Sequence, residues 1–201
     1  MEERELDDER REAIMKIKRI MESTVAGKDT HKHKSLRQAF RFAREAFQND
    51  PDHTVLDLFA RTCPWGDFRN DLNPQFKKQG HTNMCMDALE AARTFENNSI
   101  DIILFDPPFS SRMDADKYEE VGAASLWTNP KYISELGAEM NRILTTNGLI
   151  IKCGFNSNKP YSELKLERLY ISHYGACRND MLVSVWKKME TSLFNYYSVN
   201  D

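Results

Sequence analysis

The densest chemistry in this sequence is Asp106-Pro107-Pro108-Phe109, which directly follows the apolar run Ile100-Asp101-Ile102-Ile103-Leu104-Phe105. Two successive prolines remove two backbone donors and fix φ, so the flanking carboxylate and carbonyl groups become a rigid cluster of acceptors. That cluster suits an aromatic amino group, a poor nucleophile because its lone pair is delocalised into its ring. Acceptors that pull on the N–H bonds localise the pair. The Asp106 carboxylate and the Pro107 carbonyl are the candidate acceptors. Phe109 offers a face for a base flipped out of its stack, an interaction worth about 1–3 kcal/mol. As a bare tetrapeptide the segment is equally a structural turn, and its position after a buried strand is what argues for function.

Three further acids stand where a strand gives way to a loop: Asp57 in VLDLFA, Asp71 in RNDLNP and Asp87 in MCMDAL. Each is a candidate for a different part of a nucleoside-like ligand. Asp71 can accept from both hydroxyls of a ribose diol, Asp87 from an adenine amino group with Met86 or Ala88 against the ring, and Asp57 can face an ammonium. Any one of them can equally be a helix N-cap or a solvated turn, but four in order at strand ends argue for one site. The Asp57-to-Asp71 interval contains a single glycine, Gly66, so no glycine-rich loop offers its amides to an anion. Phe59, Ala60 and Arg61 are then the candidate ligand contacts there. Arg61 has the forked geometry that pairs with a carboxylate, the alternative being that it points to solvent while Trp65 fills the core.

These residues need elements to hold them. Apolar runs of strand length occur at residues 54–60, 68–72, 82–86, 100–105 and 149–154, with helical patterns at 87–94 and 131–144. Near-continuous apolar strands such as IDIILF and GLIIKC are those of a parallel sheet covered on both faces. Residues 168–172 and 181–187 read as an antiparallel pair at one edge. The fold expected is α/β, a Rossmann-like doubly wound, mostly parallel sheet with a C-terminal antiparallel hairpin. Two helices precede it: a charged one at 5–22, and a second that places Leu36, Ala39, Phe40, Ala43 and Phe47 on one face. The ligand crevice of such a sheet lies beyond the carboxyl ends of its strands, where all four acids fall.

Composition narrows the classes. The chain has 201 residues, a net charge of −3, 40% hydrophobic and 29% charged residues, enough for one domain without an apolar run able to span a membrane. The mixed-charge N-terminus lacks the apolar core of a secretory signal, which predicts a cytoplasmic protein. Cys63, Cys85, Cys153 and Cys177 contain no CxxC pair, and His31 and His33 form the only close histidine pair, so neither a disulfide framework nor a metal site is expected. The total charge argues against coating nucleic acid by charge alone. Its distribution is uneven, since Lys32, Lys34, Arg37, Arg41 and Arg44 fall among residues 31–47 against the single acid Glu45.

The order of motifs resembles class I S-adenosylmethionine-dependent amino-methyltransferases acting on nucleic acids, whose catalytic motif is (D/N/S)PP(Y/F/W). The Asp-Phe version is similar to the adenine-N6 branch. FARTCPWG, NDLNP, MDAL and LFDPPFS are similar in particular to small phage-encoded adenine-specific DNA methyltransferases. The resemblance covers about residues 30–188, leaving 1–29 as a charged helical extension and 189–201 as a tail. It implies S-adenosylmethionine as cofactor, Asp106, Pro107, Pro108 and Phe109 as the catalytic motif, Asp71 as the ribose acid and Asp87 as the acid near the cofactor adenine. HKHKSL, with His31 and Lys34, is similar to the segment that touches the methionine end of the cofactor, though it also reads as a solvated basic loop. A bacterial cell or phage-infected host would be the setting.

Residues 110–129 form a long polar connection where a substrate loop covers the cleft in such enzymes. Arg112, Lys117, Tyr118 and Trp127 are candidate contacts to phosphate or base, or ordinary loop residues. The expected partner is a nucleic acid, DNA before RNA. With no separate recognition domain in view, a second copy or a partner subunit can supply target recognition. The competing reading is a catalytically weak binding module on the same fold, favoured by the scarcity of glycine after Asp57 and opposed by the intact DPPF.

Overall fold

Ile100–Phe105 buries every residue but Asp101, which is half-buried, and a strand apolar on both faces has to lie inside a sheet with layers above and below. The computed structural model, which describes residues 17–21, 30–48, 50, 52–108, 129–174 and 180–190, places it there. The strands in chain order are β1 (Ile17–Met21), β2 (Val55–Asp57), β3 (Phe68–Arg69), β4 (Ile100–Phe105), β5 (Leu144–Gly154), β6 (Leu164–His173) and β7 (Met181–Lys188). They form a seven-stranded sheet in the order β1-β6-β7-β5-β4-β2-β3. The pairs β2/β3, β2/β4, β4/β5 and β1/β6 are parallel, and β7 runs antiparallel to both β5 and β6.

Helix α1 (Lys34–Ala46) lays Leu36, Ala39, Phe40 and Ala43 on one face of the sheet, against Val55, Ile102, Leu104, Ile151 and Val183. A short helix α2 (Pro74–Lys78), capped by Asn73 with Pro74 in its first turn, follows β3. Helices α3 (Ala88–Arg93) and α4 (Pro130–Ile143) cover the other face, where Leu89, Ala92, Leu136 and Met140 meet Leu56, Ile103 and Ile150. The result is the three-layer α/β architecture expected, with the helix on 34–46 presenting the expected apolar face.

Four local readings are corrected. Ile17–Met21 is a strand and not part of a helix: only Ile20 is buried, and the segment gains its backbone partners from β6, where Ile17 pairs with Leu169 and Met21 with His173. The β6–β7 pair is not at the edge, because β7 lies between β5 and β6 and β1 is added outside β6. β5 begins at Leu144, directly after α4, rather than at residue 149. Residues 82–86 form no strand; only a bridge between Met84 and Asn70 is left. Asn70 takes over there, since its side-chain amide donates to the Met86 and Leu58 carbonyls and accepts from the Met86 amide. One buried side chain stands in for a ladder.

Candidate active site at the β2–β4 switch point

The chain leaves β2 toward β3 on one side of the sheet and β4 toward β5 on the other, so the carboxyl ends of β2 and β4 flank the point where the winding reverses. A crevice opens at such a point. Asp57 is the last residue of β2 and Asp106 the first after β4. Asp57 is 3% exposed, Asp106 half-buried, and Pro107 and Pro108 are buried behind it.

The wall between the two acids is built from the loop that follows β2. No helix occurs between β2 and β3, as the short spacing requires; the Ala60 amide instead donates to the Asn70 carbonyl at 2.8 Å, and the Cys63 amide to the Ala60 carbonyl at 2.6 Å. Arg61 holds φ at 45°, a left-handed backbone that glycine usually supplies. The single glycine works elsewhere. A Cβ on Gly66 would stand 2.7 Å from the Phe68 carbonyl oxygen and 3.2 Å from the Asp57 Cβ, so Gly66 lets the loop pass close under Asp57.

The electrostatics are those of two acids in a confined place. Burial, reinforced by the nearby charges of Asp106 and Asp71, raises the Asp57 pKa to about 7, although the Phe59 amide (3.1 Å to Oδ1) and the Cys63 thiol both hydrogen-bond to it and pull the other way. Burial also pushes both Cys63 and Cys153 well above the usual thiol range, with Asp57 and Asp106 adding to the effect. The thiols are therefore protonated. Cys63 donates to Asp57 and Cys153 to Asp106.

A cleft of about 420 Å3, including space open to solvent, joins these groups. His31, Asp57, Phe59, Ala60, Arg61 and Asp106 all line it, together with Phe105, whose ring lies 5.8 Å from that of Phe59. The Arg61 guanidinium sits over Phe76, 5.6 Å from the ring centre. Cys63 and Cys153 also line the cleft. Sequence reasoning assigned neither a role, although Cys153 stands near the carboxyl end of a central strand, which was the available signal.

Other expected contacts lie elsewhere. Asp71 is fully buried, Oδ1 accepting from the Asn73 amide, and it does not line the cleft. Asp87 caps α3 by accepting from the Leu89 and Glu90 amides, and its second oxygen accepts from the Tyr132 hydroxyl at 2.8 Å. Lys34 is exposed at the start of α1, outside the cleft lining. Its neighbour His33 is buried and bonds Tyr174 Oη at 2.5 Å. Phe109, Arg112, Lys117, Tyr118 and Trp127 lie outside the described residues. No group of three or more potential metal ligands occurs among the described residues.

No protein-family model matches the sequence, and no curated protein matches it. Solved structures do. An rRNA methylase from Streptococcus thermophilus is 12% identical and superposes with a TM-score of 0.50, covering 78% of this chain and 98% of the other. The N-methyltransferase NodS from Bradyrhizobium japonicum, in complex with S-adenosyl-L-homocysteine, is 9% identical with a TM-score of 0.49, covering 82% of this chain and 90% of the other. The likeness is one of fold. It spans nearly the whole of the methylase, so the two chains share a Rossmann-like sheet, and in this chain the Asp57–Asp106 cleft lies at its switch point. No helix of the described residues is long and apolar enough to cross a membrane.

Proposed function

We propose that this protein transfers the methyl group of S-adenosylmethionine to an exocyclic amino group of a nucleic-acid base, adenine N6 in DNA in particular. One observation carries the reading: Asp106, ahead of two buried prolines, faces the same cleft as a buried Asp57 at the point where a methylase-type sheet reverses its winding.

The residues present fit such a cofactor by the chemistry of their donors. Two carboxylates suit a ligand that carries a sulfonium and an ammonium, and Arg61, on the wall of the same cleft, suits its carboxylate. The cofactor supplies an electrophilic methyl carbon, which the amino nitrogen attacks as the C–S bond breaks and its electron pair stays on sulfur, leaving S-adenosylhomocysteine. Asp57 holds the cationic end, and a positive charge beside it lowers its pKa again. Asp106 and the Pro107 carbonyl accept the two N–H bonds of the target amine, localising its lone pair along the line to the cleft. A carboxylate oxygen of Asp106 then takes the proton that the methylated nitrogen releases. Cys153 orients Asp106 as a weak donor. The resemblance of the DPPF segment to adenine-N6 enzymes supports adenine over cytosine, and the resemblance of the whole motif order to small phage-encoded DNA methyltransferases supports DNA over RNA.

The test is transfer of tritium from labelled S-adenosylmethionine to unmodified DNA and RNA, with mass spectrometry of the released nucleosides. N6-methyldeoxyadenosine from the wild type and none from Asp106→Ala is the expected result. Cofactor binding within a few fold of wild type in that variant would place Asp106 on the target amine. A fully active Asp106→Ala would remove the mechanism.

A further inference from the structure

Helix α1 carries a second surface that the methyl-transfer chemistry does not use. Its core face is Leu36, Ala39, Phe40 and Ala43. Lys34, Arg37, Arg41 and Arg44, spaced by three, four and three residues, form a stripe along the opposite, exposed face. Ten residues of helix span about 15 Å, the reach of two to three phosphates along an extended strand. None of the three arginines is in an ion pair with a described residue.

The arginines open onto a groove of about 1690 Å3, including space open to solvent, whose walls also hold His31, Phe47, His53 and Trp65. Trp65 stacks on Phe40, ring centres 4.6 Å apart at 9°, and His31 meets Trp65 edge-on at 6.1 Å. Two carboxylates, Glu45 and Asp50, also line it, so the groove is cationic by its arginine row and not uniformly so. His31 lines the Asp57–Asp106 cleft as well, so the groove borders the cleft at that residue.

Cations in a row beside flat aromatic rings match a polynucleotide, in which phosphates repeat along the strand and bases offer faces for stacking. We propose that the α1 groove binds the phosphate backbone of the nucleic-acid strand that carries the target base. The inference rests on the methyl-transfer reading and adds the surface that holds the polymer. The net charge of −3 is no obstacle, because the row concentrates positive charge where the strand runs.

The experiment measures binding of a fluorescein-labelled single-stranded DNA oligonucleotide by anisotropy from about 50 to 200 mM salt, for wild type, the single variants Arg37→Ala, Arg41→Ala and Arg44→Ala, and the triple variant. A Lys77→Ala/Lys78→Ala protein serves as the control for loss of positive charge elsewhere. Affinity should fall up to about fivefold per arginine. The log–log salt slope should flatten by roughly 2 in the triple variant, about 0.7 for each phosphate no longer neutralised. Methyl transfer to free deoxyadenosine, which has no phosphate, should be unchanged in all of them. An unchanged slope in the triple variant, an equal loss in the Lys77/Lys78 control, or equally tight competition by a polyglutamate peptide overturns the proposal. Transfer to deoxyadenosine without oligonucleotide binding would leave the chemistry standing and remove the groove. Oligonucleotide binding that depends on the arginines, with no transfer to any nucleoside or polymer, would do the reverse.

Discussion

Asp57 should make this protein less stable as pH rises through neutrality, against the usual behaviour of carboxyl groups. In the folded chain its pKa is raised from 3.8 to about 7, chiefly by burial. Between pH of about 4 and 7 the folded protein therefore holds a proton that the unfolded chain has released. Stability from this group is greatest below pH about 4, falls as pH rises, and is fully lost above about 7. A carboxyl shifted that far corresponds to about 4 kcal/mol as an upper bound, since one pKa unit is about 1.4 kcal/mol. Asp57→Asn keeps an acceptor for the Phe59 amide and never ionises, so at pH 8 it should exceed wild type by up to about 4 kcal/mol, with the advantage vanishing near pH 4. Urea unfolding at pH 4, 5, 6, 7 and 8, read as the difference between the two proteins, cancels every other titrating group. Parallel pH profiles would refute the buried-acid account. The same variant should lose affinity for S-adenosylmethionine, because the charge that destabilises the empty cleft is the one that holds the cationic end. Wild-type affinity should accordingly rise with pH up to about 7 and then level.

Asp71→Ala should lower stability by roughly 1–3 kcal/mol in thermal or urea unfolding, because it strips an acceptor from a buried turn; an unchanged midpoint would show that the Asn73 bond is unimportant. Gly66→Ala should cost about 1–3 kcal/mol, since its Cβ meets backbone at 2.7 Å and not a movable side chain, and a silent substitution would mean the loop shifts freely. Arg61→Gly should stabilise the empty protein by about 1 kcal/mol by relieving its left-handed backbone while weakening S-adenosylmethionine, measured by calorimetry. Arg61→Lys should weaken that binding nearly as much as Arg61→Ala, with adenosine unaffected in both; equal binding by wild type and Arg61→Ala would sink the role.

What the sequence made legible was whatever periodicity and burial jointly impose. IDIILF and GLIIKC announced central strands, the Leu36–Ala43 spacing announced the face of α1, and the strand-to-loop acids pointed to the carboxyl edge of the sheet. Ile17–Met21 was missed because a run of mixed charge carries no β alternation, and its partner β6 is about 150 residues away, a pairing that local pattern cannot express. Residues 82–86 carry apolar content because Met84 and Met86 pack against the core from a loop, while the Asn70 amide bonds the backbone at Met86 in place of a strand ladder. The acids separate by the same logic. All four sit at strand ends, but which of them faces the cleft depends on loop paths: Asp87 turns to the amides of α3, Asp71 turns inward, and Asp57 and Asp106 stay on the cleft.

The glycine-poor loop after β2 is best understood through Arg61 and Gly66 together. A glycine-rich loop would offer backbone amides to an anion and enter left-handed backbone at little cost. Here the left-handed position is held by Arg61 at φ 45°, and the one glycine is reserved for the close pass beneath Asp57. Strain of this kind persists where the surroundings over-determine it. The loop supplies that restraint through the Ala60 bond to Asn70, the Cys63 bond to Ala60 and the Arg61–Phe76 contact. A guanidinium brings to a carboxylate a full charge and two parallel donors, where a glycine would bring one amide. The departure from a glycine-rich loop leaves the Arg61 side chain, rather than a row of glycine amides, on the wall of the cleft that Asp57 and Asp106 share.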